Sequence, residues 1–235
     1  VNMKLVFDIE TDGLLNDLSC IHTIVIKYLE TGETIKYRPV GDELQEAIGN
    51  LKNAELIIGH NVISFDIPAI QKVFPDFNPV NIFDTLVASR LIWSDIKDRD
   101  FKFHKHTNFP TNLIGKHSLK AWGLRLGNPK QEIETDWSVF TQEMLEYCIQ
   151  DCHTTHSLYQ RMLAKRYAPQ AIQMEHEVCE IISRQEQFGI MFDTEKATTL
   201  YAKLSSKRET IAQELQQVFP PIEVRTEFIP KVNNK

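Results

Sequence analysis

The stretch Val6-Phe7-Asp8-Ile9-Glu10-Thr11-Asp12-Gly13-Leu14 ends an apolar run with two carboxylates two positions apart. Residues two apart on a β-strand share a face. The spacing therefore predicts that Asp8 and Glu10 point the same way from the end of a strand over residues 3–8. Two like charges side by side call for a cation. An Asp-x-Glu pair also occurs in solvated acidic loops, so its meaning depends on what the rest of the chain brings to it.

Outward from that strand, short apolar runs alternate with helical periods. Residues 21–29 read as a second strand around Ile24 and Ile26. Thr31-Gly32-Glu33 separates it from a strand-like run over 34–38, a hairpin signal. Asp42 with Gln45 has the pattern of a capping box before a helix reaching about Lys52, whose Leu44, Ala47, Ile48 and Leu51 form one apolar stripe. A strand over 55–58 then ends in Gly59-His60-Asn61. Pro68 is tolerated only in the first turn of a helix, so the helix carrying Ile67, Ala69, Ile70 and Val73 should begin near Phe65 or Asp66. That sets Asp66 at a strand-to-helix mouth. Residues 80–83 read as a strand leading through Asp84-Thr85 into a helix with Leu86, Val87, Leu91 and Ile92. The alternation predicts an α/β domain with a mixed sheet of about five strands flanked by helices.

Residues 94–116 carry Pro110 and much of the basic charge and are expected to form a long, mobile connection of the kind that tends to be functional. A helix over 117–126 is closed by Gly127. Thr141 is a candidate N-cap for a long helix reaching about Arg166. On it, Tyr147 and Asp151 are four residues apart and so lie one turn apart on one face. Pro169 opens a further helix to about Gln187. A last amphipathic helix spans 194–218 with Leu200, Leu204, Ile211 and Leu215 on one side, followed by a polar, unanchored tail after Pro220-Pro221. The chain thus reads as a domain over 1–187 and a helical appendage over 188–235.

With 42% hydrophobic and 25% charged residues among 235, the chain has the composition of an ordinary globular protein. No stretch approaches the ~18 apolar residues of a membrane span, and no signal-peptide pattern opens the sequence, so a cytoplasmic protein without a membrane partner is expected. A net charge of −6 argues against coating nucleic acid by bulk attraction. The basic residues are nonetheless concentrated: Lys97, Arg99, Lys102, Lys105, Lys116, Lys120, Arg125 and Lys130 stand against only Asp98 and Asp100 in that run. This predicts a local basic surface able to track phosphates, a solvated lysine-rich loop being the alternative. Cys20, Cys148, Cys152 and Cys179 lack paired short spacings and are expected to be reduced. Cys148, Cys152 and His156 share a helical stripe, but one straight helix cannot wrap a tetrahedral zinc ion, which leaves them a buried structural role. P-loop and G-x-G-x-x-G patterns are absent from the sequence.

Four acids at comparable places, Asp8, Glu10, Asp66 and Asp151, with Tyr147 one turn before the last, resemble the motifs of the DEDD superfamily of 3′-to-5′ exonucleases. Asp8-Ile9-Glu10 matches the first motif, Asn61 to Asp66 the second and Tyr147-x-x-x-Asp151 the third. Tyrosine at that spacing marks the DEDDy branch; the histidine branch would need His where Glu146 stands. His60-Asn61 through Asp66, Phe83-Asp84-Thr85-Leu86-Val87-Ala88-Ser89-Arg90-Leu91 and His117-Ser118-Leu119-Lys120-Ala121-Trp122-Gly123 look like the proofreading domain of family A DNA polymerases from short-tailed bacteriophages. The likeness covers about residues 3–193, since Gly189-Ile190-x-x-Asp193 resembles the junction where such polymerases pass from exonuclease to thumb.

The resemblance implies an RNase H-like domain that removes 5′-mononucleotides from single-stranded DNA 3′ ends, in host cytoplasm if the chain is phage-encoded. Hydrolysing a phosphodiester needs an activated water and relief of charge on the leaving 3′ oxygen, which two divalent ions about 3.5–4 Å apart supply. Hard oxygen ligands suit Mg²⁺ or Mn²⁺. By resemblance, Asp8, Glu10 and Asp151 would hold one ion, with Asp8 bridging to a second held by Asp66. Tyrosine, with an ordinary pKa of about 10, is a poor base at neutral pH. Tyr147 would instead orient the attacking water, with Glu10 accepting from it. Leu14 would wedge against the terminal base, and Asn61 and Phe65 would contact the terminal nucleotide; for Leu14 and Phe65 packing in the core is the alternative, and His60 reads as structural. The segment 188–235 would begin a thumb-like helix that binds a polymerase domain or subunit, and the chain alone, with no room for palm or fingers, is not expected to polymerise. Two other readings remain at this point: an RNA 3′-end trimming enzyme of the same superfamily, and a non-catalytic module that docks DNA or a polymerase.

Overall fold

Strand β1 (Lys4–Thr11) is the centre of a five-stranded sheet of order β3-β2-β1-β4-β5 in the computed structural model, which describes residues 3–107, 109–129 and 133–220. Strands β2 (Ile21–Tyr28) and β3 (Thr34–Tyr37) form an antiparallel hairpin series with β1, while β4 (Leu56–Gly59) and β5 (Ile82–Asp84) run parallel to it. The sheet is therefore mixed, as the alternation of elements implies. Gly32 turns the β2–β3 hairpin with φ 75°, a left-handed conformation that costs glycine nothing.

Alternation along β1 decides what each face does. Leu5, Phe7 and Ile9 pack into a core with Ala47, Ile48 and Leu51 of α1 (Glu43–Lys52) and Ile67 and Ile70 of α2 (Asp66–Val73). Val6 turns the other way and joins Val25 and Ile58 beneath Leu145, Cys148 and Cys152 of α6 (Gln142–Leu163). Each such buried aliphatic or aromatic side chain contributes about 1.5–3 kcal/mol. Asp8 and Glu10 continue the Val6 side of the strand, so the apolar pattern itself carries both carboxylates to the face that α6 covers.

The strand runs further than its apolar run predicts. Asp8 pairs with Val25 and Glu10 with Thr23, and an irregularity falls between Glu10 and Thr11. The extra length comes from β2, whose ladder continues alongside and gives the acidic segment a partner.

The remaining helices are α3 (Thr85–Ile92), α4 (Ile96–His104), α5 (Leu119–Leu126), α7 (Pro169–Phe188) and α8 (Thr194–Val218), with a 3₁₀ turn at Thr111–Leu113. Ser118 caps α5 by accepting from the Ala121 N–H, and Gly127 ends it at φ 75°. Two expectations are corrected. Asp42 makes no side-chain cap to α1; the first turn is tied instead by Glu43, whose carboxylate accepts from the Arg38 N–H at 2.7 Å and its guanidinium at 3.1 Å. The stretch 94–116 is not an open connection but contains α4 and the 3₁₀ turn. Its anchor is Asp100, buried, which accepts from the Gly115 N–H at 2.8 Å and pairs with Arg125 at 2.6 Å. The Arg125 guanidinium also lies over the rings of Trp122 and Phe109, at 4.9 and 5.4 Å from their centroids.

The chain divides into two compact units, 1–188 and 189–235. In the second, α8 is capped by Asp193, which accepts from the Lys196 N–H at 2.9 Å, and none of the helix's residues is buried. The expected polar tail lies outside the described residues, as does Lys130 of the basic run. Among the described residues no helix is long and apolar enough to cross a membrane.

Candidate active site

Three elements bring acids together on the α6 face of the sheet. Carboxylate oxygens of Asp8 and Glu10 and the Sγ of Cys148 all lie within 4.8 Å of one another. Asp66, buried at the start of α2, has its carboxyl pushed up to about 8, first by burial and then by the charge of Asp84, with Asp151 adding to it; the N–H groups of Asp66 itself and Ile9 pull the other way. Burial, then Asp8, Asp151 and Asp66 in that order, drive the Cys152 thiol well above its ordinary range. Carboxylates from β1, from the mouth of α2 and from α6 thus all act electrostatically on the Cys152 thiol, while Glu10 stands with Asp8 at Cys148.

The cluster fits divalent cations. Like charges are crowded together, Asp66 and Asp151 buried and Asp8 and Glu10 half-buried, and a bound cation would favour the charged form of the Asp66 carboxyl that burial disfavours. The carboxylate donors are hard oxygens suited to Mg²⁺ or Mn²⁺. Cys148 is a soft neighbour whose thiol burial pushes far up, with Asp8 adding to that, so it remains protonated beside the oxygens.

Tyr147 sits half-buried one turn before Asp151, and its ring meets Trp137 edge-on. The Trp137 carbonyl accepts from Nε2 of His22, a buried β2 residue, at 2.9 Å, which pins the approach to α6 against the sheet. Sequence reading gives Trp137 no role, and an isolated tryptophan in a polar stretch carries no signal that could have supplied one.

The turn from β4 to α2 delivers Asn61, Phe65 and Asp66. A Cβ at Gly59 would collide with the Val62 side chain and stand 3.2 Å from the Phe7 carbonyl oxygen, so only glycine lets β4 close on β1 there. Asn61 follows in a left-handed conformation at φ 70°. Its N–H donates to Asp84 at 3.0 Å, and that of Ile63 to the same carboxylate at 3.1 Å. The Thr85 hydroxyl donates to the Gly59 carbonyl at 3.0 Å and therefore accepts from His60 Nδ1 at 2.9 Å, which fixes that histidine's tautomer and gives it a structural role. Asn61 and Phe65 are half-buried at the mouth of α2.

Leu14 is not a core residue: it is 76% exposed on the β1–β2 connection. That connection is rigid. Asp12 accepts from the Ser19 N–H at 2.8 Å, the Cys20 N–H at 3.0 Å and the Ser19 hydroxyl, which holds its carboxyl well below the usual range, with the Ser19 hydroxyl the largest cause. Lys72 Nζ donates to the Leu15 and Asn16 carbonyls at 3.1 and 2.9 Å. In the basic run, Arg125 is committed to Asp100, whereas Lys97, Lys102, Lys105 and Lys116 are exposed.

Residues 5–163 match the family model RNase_H_2, described as RNase_H superfamily. The DNA-directed DNA polymerase of Escherichia phage T7 is 30% identical over 260 aligned residues, 92% of this chain and 37% of the phage protein. That of Enterobacteria phage T3 is 31% identical over the same shares. The chain thus spans little more than a third of the length of these relatives. Among solved structures, Brucella melitensis NrnC bound to pGG superposes with a TM-score of 0.55 at 20% identity, covering 79% of this chain and 85% of that one. The catalytic core of RRP6 from Trypanosoma brucei does so with 0.50 at 16%, covering 78% and 46%. At those identities the structures report a shared fold.

Proposed function

The chain belongs to the RNase_H superfamily, and from that membership we propose that it is a metal-dependent 3′-to-5′ exonuclease removing 5′-mononucleotides from single-stranded DNA, the proofreading part of a family A replicative DNA polymerase. One observation carries the reading: Asp8 and Glu10 have carboxylate oxygens within 4.8 Å of each other at Cys148, and Asp66 and Asp151, from two further elements, stand near enough for their charges to act on one another and, with that of Asp8, on Cys152.

Asp8, Glu10 and Asp151 would hold one divalent ion, Mg²⁺ or Mn²⁺, and Asp8 with Asp66 a second. Such ions, when bound, activate water and relieve charge on the leaving 3′ oxygen. Glu10 accepts a hydrogen bond from the attacking water, and the Tyr147 hydroxyl, too weak an acid to serve as base at neutral pH, orients it. Exposed Leu14 wedges against the terminal base, while Asn61 and Phe65 contact the terminal nucleotide. The strand enters along Lys97, Lys102, Lys105 and Lys116. Residues 1–187 form the nuclease domain, and 188–235 are the junction and start of a thumb-like helix through which a polymerase domain or subunit is bound, in the cytoplasm of a host cell.

DNA is favoured over RNA by the polymerase relatives. Incubating 5′-labelled single-stranded DNA with Mg²⁺ tests the reading, with an unlabelled RNA of the same sequence as competitor. A ladder shortening from the 3′ end, resistant to the RNA, is expected; no ladder, or a reaction that RNA quenches at equal concentration, overturns it.

A further inference from the structure

We propose that Asp84 is a positioning residue for this site: its carboxylate holds the turn that delivers Asn61 and Asp66, although it lies outside the set that would hold metal. The kinetic part of the test below rests on the exonuclease reading; the structural part does not.

Asp84 ends β5, caps α3 and is 0% exposed. Its carboxylate accepts four backbone N–H groups. Oδ1 takes those of Leu86 at 2.8 Å and Val87 at 3.3 Å, which is ordinary helix capping, and also that of Asn61 at 3.0 Å. Oδ2 takes that of Ile63 at 3.1 Å. Capping α3 needs only the first pair, and a serine would do it. The second pair reaches back into the turn between β4 and α2, where asparagine is held at φ 70°, a conformation that persists only when its surroundings fix it. Asp66 follows Ile63 by three residues, so its place beneath α6 is set by this anchor.

The anchor is itself braced from α7. The Asp84 N–H donates to Nε2 of buried His176 at 3.1 Å, and Phe83 meets the His176 ring edge-on at 5.5 Å. In the same turn, the Ser64 hydroxyl bonds that of Ser183 on α7 at 2.7 Å. Thr85 adds its bond to the Gly59 carbonyl at the turn's beginning. Removing an outer partner that orients a metal ligand typically weakens metal affinity by about 10- to 100-fold.

Two variants of the whole chain separate positioning from capping. Asp84→Ser keeps an acceptor for Leu86 and Val87 but is too short to serve Asn61 and Ile63 as well. Asp84→Asn keeps one oxygen and turns an amide toward Ile63. Amide hydrogen exchange, Mn²⁺ titration and turnover of labelled single-stranded DNA are measured on both. For Asp84→Ser we expect faster exchange at Asn61 and Ile63 with Leu86 and Val87 still protected, Mn²⁺ affinity down by about 10- to 100-fold, and a fall in kcat with KM for DNA little changed. Asp84→Asn should show a smaller change of the same kind, and it carries the test if the serine variant does not fold. Wild-type Mn²⁺ affinity in the variants, or exchange that quickens at Leu86 and Val87 as much as in the turn, overturns the proposal. If the wild-type chain degrades no DNA, the exonuclease reading fails, while exchange and Mn²⁺ binding still decide the role of Asp84.

Discussion

The Tyr147 ring stands edge-on to the Trp137 indole, with centroids 6.3 Å apart and planes at 73°. Such pairs add about 0.5–1.5 kcal/mol beyond area burial, so the tyrosine is held by packing as well as by its helix. On the proposed reading its hydroxyl orients the attacking water. Tyr147→Phe keeps the ring and this contact and should slow exonuclease turnover by about 10²-fold, the scale of a misplaced reactant, while Mn²⁺ titration finds unchanged affinity. Equal losses in both would make the tyrosine a structural residue. Trp137→Ala should reproduce part of the rate loss.

Asp66 gives the metal-free protein a distinctive response to pH. Its carboxyl is pushed up to about 8 from 3.8 by burial first and then by neighbouring carboxylates. Between those values the folded chain keeps a proton that the unfolded chain releases. This contribution to stability is complete below about pH 4 and is lost as pH rises through about 8. In EDTA, wild type should therefore lose more Tm between pH 5 and 9 than Asp66→Asn, which cannot titrate there. Parallel profiles would show that Asp66 is not the group responsible. Added Mg²⁺ should raise the wild-type Tm most at the alkaline end, where the carboxylate is ionised.

Much of this was legible in the sequence because it follows from periodicity. Val6, Asp8 and Glu10 share a face by strand alternation, and Tyr147 and Asp151 by helical spacing, so the pairs within each element need no tertiary knowledge. Pro68 marked the mouth of α2 for the same local reason. What could not be read were contacts between distant segments. Asp84 was visible as a helix start, yet its bonds to Asn61 and Ile63 reach 23 and 21 residues back. The stretch 94–116 read as a connection because its composition is basic and polar. It folds because Asp100 meets Arg125, a pairing that local spacing does not encode. Asp42 makes no side-chain cap to α1, whose first N–H, that of Glu43, donates to the Val40 carbonyl instead.

Gly59 should be the least tolerant position in the turn. A methyl there collides with the buried Val62 side chain in the turn and crowds the Phe7 carbonyl on the central strand. Overpacking of that kind costs about 1–3 kcal/mol. Urea unfolding of Gly59→Ala should show a loss in that range with unchanged m-value, and its Mg²⁺ requirement should rise because Asp66 is displaced along with the turn. A variant as stable as wild type would mean that β4 and β1 can separate without disturbing the site.

The basic run divides into residues that build the fold and residues free to meet a strand. Arg125 belongs to the first kind: its guanidinium and the Asp100 carboxylate are both buried and hydrogen-bonded at 2.9 and 2.6 Å. Arg125→Ala strands a buried carboxylate and should cost about 3–5 kcal/mol in denaturant unfolding. Lys97, Lys102 and Lys105 are exposed, so replacing each by alanine should leave stability within about 0.5 kcal/mol of wild type. If these lysines meet phosphates, each removal should weaken single-stranded DNA binding and flatten its dependence on log salt by about 0.7. Filter binding across a salt series gives the slope. An unchanged slope in all three lysine variants would remove Lys97, Lys102 and Lys105 from the path of the DNA, while Arg125 would still serve the domain through its fold.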